Sequence, residues 1–275
     1  MIIDGKGISN EIIMELHDKV SKLDRKPNFV VIQIGNDEAS NIYIKQKEKM
    51  ANNIGYGFKH VKLDENITTL EVTKIITDFN NDSDIDGIMV QLPIPKHLDV
   101  KVIQNAILPN KDIDGLTEIN NGKLMQGVDG IYSCTPSGIM YLLEKYNIDV
   151  EGINAVVVGR SNLVGKPISV MLINAGATVT VCNSKTKDLA KYTKEADLLV
   201  VATGHAKLIT SDMVKDDAIV IDVGISRLND KLCGDVDYDN VLDKVKYITP
   251  VPGGVGPMTV AMLAKNIYKA YLMNK

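Results

Sequence analysis

Tyr43 and Lys47 stand four residues apart in NIYIKQKEK, a spacing that puts both side chains on one face of a helix. A phenol and an amine so placed can grip a ring and handle a proton. Lys45, Lys47 and Lys49 equally form a charge run of the kind that coats a solvated helix face. Gln91 closes the apolar run DGIMVQLP, just ahead of Pro93 and Pro95. A parallel strand ending there would carry it to the carboxyl edge of a sheet, where ligands gather in open α/β folds. KDIDG places Asp112 and Asp114 alternately before a glycine in a long loop; taken singly, an aspartate such as Asp114 is more often a turn former than a ligand. The chemistry open to such a set is base catalysis by a lysine of lowered pKa, with a carboxylate to hold a donor-rich ring.

A second group follows the strand-like run AVVVG. GRSNLVGKP supplies Gly159, Arg160, Ser161, Gly165 and Pro167. A strand emptying through a glycine turn into a helix offers free backbone N–H groups and a positive helix end to a phosphate. The spacing is not the GxGxxG fingerprint, and the alternative is a tight strand-to-helix turn with an incidental arginine. Beyond the next strand, where an NAD enzyme places an acid for the ribose, this chain has Asn183, Ser184, Lys185 and Thr186. An acid would repel a 2′-phosphate; serine and lysine accept one, so the expected cofactor is NADP.

The elements that must position these residues read as a doubly wound α/β fold. Residues 8–24 carry a helical apolar stripe with Ser9 or Asn10 as cap; strands are expected at 29–35, 58–63 and 86–93, with helices from Glu38 to about Asn53 and near 70–80. Residues 109–121 read as loop, and a helix restarts at Thr135, capped by Thr-Pro. Strands recur at 154–159, 177–182, 197–203 and 218–224 with helical segments between, and a last helix starts at Met258. Strand–helix–strand spacing of this kind predicts parallel sheets.

The 275 residues correspond to about two domains. With 31 basic and 35 acidic side chains the net charge is −4, which excludes a nucleic-acid footprint over the whole surface. Cys134, Cys182 and Cys233 are widely spaced, without CxxC or a histidine at ligand spacing, so neither a disulfide framework nor a metal site is expected. No signal-peptide pattern or membrane-length apolar run is present, and a cytoplasmic location is expected.

The motifs, taken in order, carry a resemblance along essentially the whole chain. ASNIYIKQKEK, DGIMVQLPIPKH, NKDIDGLTEINNGKL, CTPSGI, VVVGRSNLVGKP, ATGH, IDVGISR, GDVDY and TPVPGGVGPMT resemble the bifunctional methylenetetrahydrofolate dehydrogenase/cyclohydrolase family. The resemblance implies a folate-binding catalytic α/β domain over residues 1–138, completed by the C-terminal helix at 258–275, and a Rossmann-like NADP-binding domain over 139–257. It implies that Lys47 is the catalytic lysine, Tyr43 its partner near the folate, Gln91 the glutamine that tunes the lysine, and Asp114 the holder of the pterin. Pro252, Gly253 and Gly254 become substrate-lining residues of a cleft between domains. Gly159, Arg160 and Ser161 become the nucleotide loop, Ser184 a neighbour of the ribose phosphate and Ile225 a neighbour of the nicotinamide. A small-molecule folate substrate, a homodimer, and no nucleic-acid or membrane partner are also implied.

The chain departs from the family pattern at Glu38, Ser133, Thr117–Glu118 and Asn183. None of these removes a proposed catalytic side chain; Asn183 bears on cofactor preference. His97 and His205, which fall in matching motifs, read as loop residues rather than bases. A dehydrogenase lacking the hydrolase step, a relative of shikimate dehydrogenase and a non-catalytic NADP-binding sensor are the competing readings.

Overall fold

The computed structural model describes residues 1–228 and 231–275. The chain divides into two compact units, Asn10–Cys134 with Val260–Lys275, and Met1–Ser9 with Thr135–Thr259.

In the first unit β1 (Asn28–Ile34), β2 (Gly57–Leu63) and β3 (Gly87–Val90) form a parallel sheet in the order β2-β1-β3. Phe29 of β1 lies opposite both Phe58 and Gly87. The helices are α1 (Gly5–Ser21), which belongs to this unit from Asn10 onward, α2 (Glu38–Ile54), α3 (Thr69–Asn81), α4 (Val100–Asn105) and α5 (Glu118–Met125). Their ends follow local chemistry. Asp37 caps α2 by accepting from the Ser40 N–H, and Gly55 closes it in the left-handed conformation. A capping box between Thr68 and Glu71 opens α3. The core between sheet and helices holds Val30, Ile32, Val72, Ile76, Ile88, Val90 and Ile103.

In the second unit α6 (Cys134–Lys145) precedes a five-stranded parallel sheet, β10-β7-β6-β4-β5. Its strands are β4 (Asn154–Val158), β5 (Thr178–Cys182), β6 (Leu198–Val201), β7 (Ile219–Asp222) and β10 (Tyr247–Ile248); α7 (Gly165–Asn174), α8 (Leu189–Thr193) and α9 (Tyr238–Val241) connect them. A small antiparallel pair, β8 (Ser226–Leu228) and β9 (Lys231–Cys233), lies between β7 and α9 in the chain. Because β4 has β5 on one side and β6 on the other, the strand order reverses there. That is where the carboxyl edge of a doubly wound sheet opens a crevice.

The last helix, α10 (Val255–Met273), packs into the first unit along its C-terminal part. The Tyr56 hydroxyl donates to the Ala264 carbonyl at 3.0 Å, and the Arg25 guanidinium sits 4.8 Å from the centre of the Tyr271 ring. The two-part α/β architecture, its parallel sheets and this packing are those expected from the sequence.

Several local expectations are corrected. Ser9 and Asn10 lie inside α1, not at its start; Asp4 caps it by accepting from the Gly7 N–H at 2.9 Å, and the Ser9 hydroxyl donates to Pro257 O. Thr135 is already helical, since α6 begins at Cys134, and its hydroxyl pairs with that of Thr259. The stretch 109–121, expected as loop, contains the first residues of α5, opened by Thr117 accepting from the Asn120 N–H. The short elements α4, β8, β9 and β10 carry no periodic signal of their own. No helix among the described residues is long and apolar enough to cross a membrane.

Candidate active site

Helix α2 buries Ser40, Ile44, Met50, Ala51 and Ile54. Positions 44, 47, 51 and 54 form one three–four stripe, so Lys47 falls on the apolar side of the helix. Lys45 and Lys49 lie off the stripe and are exposed, whereas Lys47 is half-buried. The run of three lysines therefore separates into two solvated ones and one that faces the protein.

What Lys47 meets is the end of β3. The Gln91 N–H donates to Ile32 O at 2.8 Å, prolonging the ladder beside β1. The Gln91 side chain is 8% exposed; its amide Nε2 donates to Leu92 O at 2.6 Å, which leaves Oε1 to accept from Lys47 Nζ at 2.6 Å. Burial lowers the Lys47 pKa, and the nearby Asp114 carboxylate opposes that shift without cancelling it.

Asp114 is set by its neighbours rather than by regular structure. Asp112 is almost fully buried, and its carboxylate accepts from the N–H groups of Gly115 and Thr117 and from Asn120 Nδ2. Asp112 is thereby consumed in holding the loop. From the other side Asn266 of α10 donates through Nδ2 to the carbonyls of Ile113 and Tyr132, both at 2.9 Å. Gly115 adopts φ 68°, and a Cβ there would come within 2.4 Å of the Tyr132 carbonyl carbon. The loop so fixed leaves the Asp114 carboxyl in a poorly hydrated place. Burial raises its pKa to about 6, Lys47 pulls it down and Asp112 adds to the rise. Burial beside these groups also raises the Cys134 thiol pKa.

The structure thus groups Lys47, Gln91 and Asp114 within one unit. Tyr43, one turn earlier on α2, is 50% exposed. Pro252, Gly253 and Gly254 belong to the other unit, where Gly253 O accepts from the Lys6 N–H at 2.9 Å. Gly254 lies so close to Gly5 that a Cβ on Gly5 would meet its carbonyl oxygen at 1.9 Å. His97 contacts Ile67 O and His205 contacts Thr203 O through ring nitrogens.

In that second unit Gly159 ends β4 with φ 130°, and a Cβ on it would reach Ala202 O at 2.3 Å. A Cβ on Gly165 would reach Gly159 O at 2.3 Å. Two backbones meet here with no room for side chains. The Ser161 hydroxyl accepts from the N–H of Val164 at 3.1 Å, and Arg160, Ser161 and Asn162 stay exposed around the turn. This cradle at the start of α7 fits a pyrophosphate. Ser184 and Lys185 are exposed just past β5, and the Asn183 side chain is spent on the Lys185 N–H at 3.0 Å. Ile225 is 56% exposed after β7.

Residues that sequence reasoning left without a role include Asp112, Asn120, Asn266, Asp222 and Asp235, all buried polar groups that shape loops. The signal available for Lys47 was its place on the apolar stripe of α2, a position that a merely solvated lysine avoids.

A tuned lysine in one unit, and a glycine cradle at the carboxyl edge of a doubly wound sheet in the other, define a dinucleotide-dependent α/β enzyme. Residues 3–114 match the family model for the tetrahydrofolate dehydrogenase/cyclohydrolase catalytic domain, and residues 133–275 match that family's NAD(P)-binding domain. The bifunctional protein FolD of Campylobacter concisus is 51% identical over 96% of this chain and 95% of its own length. The protein of the same name from Bacillus subtilis is 47% identical over 98% of this chain and 96% of its own length. The crystal structure of the bifunctional enzyme FolD from Campylobacter jejuni superposes with a TM-score of 0.98 at 46% identity, covering 100% of this chain and 99% of the other. That of the Trypanosoma brucei enzyme, complexed with NADP and an inhibitor, gives 0.94 at 35% identity over 99% of this chain and 97% of the other. The chain belongs to the tetrahydrofolate dehydrogenase/cyclohydrolase family.

Proposed function

We propose that this chain oxidises 5,10-methylenetetrahydrofolate with NADP to 5,10-methenyltetrahydrofolate and hydrolyses that product to 10-formyltetrahydrofolate. The observation that carries the reading is the pairing of Lys47 with Gln91 at 2.6 Å beside Asp114. NADP, when bound, accepts the hydride from the methylene carbon.

The protein's part in the oxidation is orientation. The Asp114 carboxylate accepts from the donor-rich edge of the pterin, and Tyr43 borders the ring. Pro252, Gly253 and Gly254 line the substrate. Gly159, Arg160 and Ser161 hold the nucleotide phosphates, Ser184 with Lys185 the ribose phosphate, and Ile225 borders the nicotinamide.

Hydrolysis then requires water to add to the cationic methenyl carbon and lose a proton, after which the bond from that carbon to N5 breaks, N5 takes up the hydroxyl proton and the formyl group stays on N10. Lys47, held neutral to a greater extent than a free lysine by burial, takes that proton. Gln91 Oε1 keeps the amine aimed by accepting one of its hydrogens. A protein of this kind works where reduced folates and NADP are available, and we place it in the cytoplasm, as a homodimer by family resemblance; light scattering of the eluted peak tests the latter. The functional reading is tested by giving purified protein 5,10-methenyltetrahydrofolate with no nucleotide. Hydrolysis well above the buffer rate is expected, and a rate equal to buffer would remove the hydrolase half of the reading.

A further inference from the structure

Two aspartates lie fully enclosed at the carboxyl edge of the five-stranded sheet, and nothing in the proposed reaction uses them. Asp222 ends β7 and is 2% exposed; Asp235 follows β9 and is 0% exposed. Asp222 is spent on backbone: its carboxylate accepts from the N–H groups of Gly224, Asp235 and Val236. It thereby fixes where Asp235 stands.

Asp235 in turn reaches across to the turn after β6. Its Oδ2 accepts from the Thr203 N–H at 2.6 Å, the Thr203 hydroxyl at 2.9 Å and the Gly204 N–H at 2.9 Å. Its Oδ1 is buried and has no hydrogen-bond partner among the described residues. A Cβ at Gly224 would lie 2.1 Å from that oxygen, so a glycine is required for the carboxylate to fit. A buried carboxylate oxygen with no partner among the described residues costs stability rather than adding it. The arrangement is better understood as a device for holding shape.

The shape held is that of the nucleotide edge. Thr203 and Gly204 follow Ala202, whose carbonyl oxygen occupies the space a Cβ on Gly159 would need. The Ser226 hydroxyl donates to Gly204 O at 3.3 Å, next in sequence to Ile225. One carboxylate therefore ties the turn after β6 to both the glycine cradle after β4 and the segment after β7.

We propose that Asp235 is a positioning residue for the dinucleotide: by clamping Thr203 and Gly204 it holds the β6 turn in the form that accepts NADP. The inference rests on the NADP-dependent reading above. It concerns a residue that does not itself touch the cofactor.

The test measures NADPH affinity by fluorescence, and nucleotide-free hydrolysis of 5,10-methenyltetrahydrofolate, for Asp235→Asn and Thr203→Val. Asp235→Asn makes the three charge-assisted bonds neutral and is expected to weaken NADPH binding about tenfold. Thr203→Val removes one of the three and is expected to weaken it about threefold. Hydrolysis in both should stay within about twofold of the wild-type rate, a split that a general loss of structure would not give. Should Asp235→Asn fail to fold, Thr203→Val decides. Folded variants with wild-type affinity would overturn the inference, as would equal losses of binding and hydrolysis. A wild-type protein that hydrolyses but binds no NADPH would instead sink the cofactor assignment on which it rests.

Discussion

The Lys47 amine donates to Gln91 Oε1 across 2.6 Å, and the same glutamine is pinned through Nε2 to the carbonyl of Leu92. The glutamine cannot turn without breaking that second bond. Its carbonyl is therefore committed to the lysine, and a helix and a strand end meet at one hydrogen-bonded pair.

Replacing the amine should separate the two activities. Lys47→Met keeps the length and apolar character of the stem while removing the base. Cyclohydrolase activity is expected to fall at least about a hundredfold, the usual worth of a positioned base. Dehydrogenase activity, read as NADPH formed, should fall far less. A Lys47→Met protein with full hydrolysis would remove the role given to Lys47.

On the proposed role of Asp114, substrate affinity should depend on pH. Its carboxyl, raised to about 6 by burial, is ionised above that value, where it would accept from the pterin edge; below it the added proton costs the site its charge. The KM for 5,10-methenyltetrahydrofolate should accordingly rise as pH falls through about 6. Asp114→Asn should bind more weakly at neutral pH and show no such acid-side rise. Steady-state kinetics across pH 5 to 8 on both proteins checks this, the range being set about the expected value of roughly 6.

Arg160 is exposed at the nucleotide turn, where a guanidinium can pair with a phosphate. Arg160→Ala is expected to raise the KM for NADP about ten- to a hundredfold, the equivalent of one lost charge-assisted contact. NADP-independent hydrolysis should be unaffected. Equal KM values in the two proteins would place the phosphate elsewhere.

Gly165→Ala should act on the same cradle by steric means. Its Cβ would stand 2.3 Å from the Gly159 carbonyl oxygen, a backbone atom that cannot swing aside. Loss of NADPH binding is expected, measured by fluorescence titration. A variant binding like the wild type would show that the turn opens more freely than its packing implies.

Asn266 serves stability and placement together. It is 9% exposed and bonds the carbonyls on either side of the Asp114 loop. Asn266→Ala takes the amide donor from two carbonyls, leaving Tyr132 O without it and Ile113 O with only the Cys134 thiol at 3.7 Å, and is expected to cost about 2–3 kcal/mol in a urea unfolding curve. A change under about 0.5 kcal/mol, the range of ordinary surface substitutions, would contradict this.

The strands were legible in the sequence because FVVIQI, AVVV, LLVV and IVID are short apolar runs rich in valine and isoleucine, and each lies in a parallel sheet. The glycine turn after β4 was legible for the same reason, as a glycine must follow that strand for the backbones to meet. Asp112 and Asp235 were not. An aspartate close to a glycine in sequence forms turns in many settings, and only the fold shows that one oxygen of Asp235 collects three donors. Asn266 lies more than 150 residues from Ile113 in sequence, so no local pattern announces their contact. The β8–β9 pair is too short, at three residues a strand, for alternation to register.

The most direct test mixes purified protein with 5,10-methylenetetrahydrofolate and either NADP or NAD, and follows reduced nicotinamide and methenyl product separately. Acid added at the end converts any 10-formyl product back to methenyl. NADPH is expected to form ahead of methenyl product, with acid releasing the difference, and NAD is expected to serve poorly. Methenyl product rising in step with NADPH, with nothing gained on acidification, would contradict the hydrolytic role of Lys47. No reduction of either nucleotide would contradict the proposed reaction as a whole.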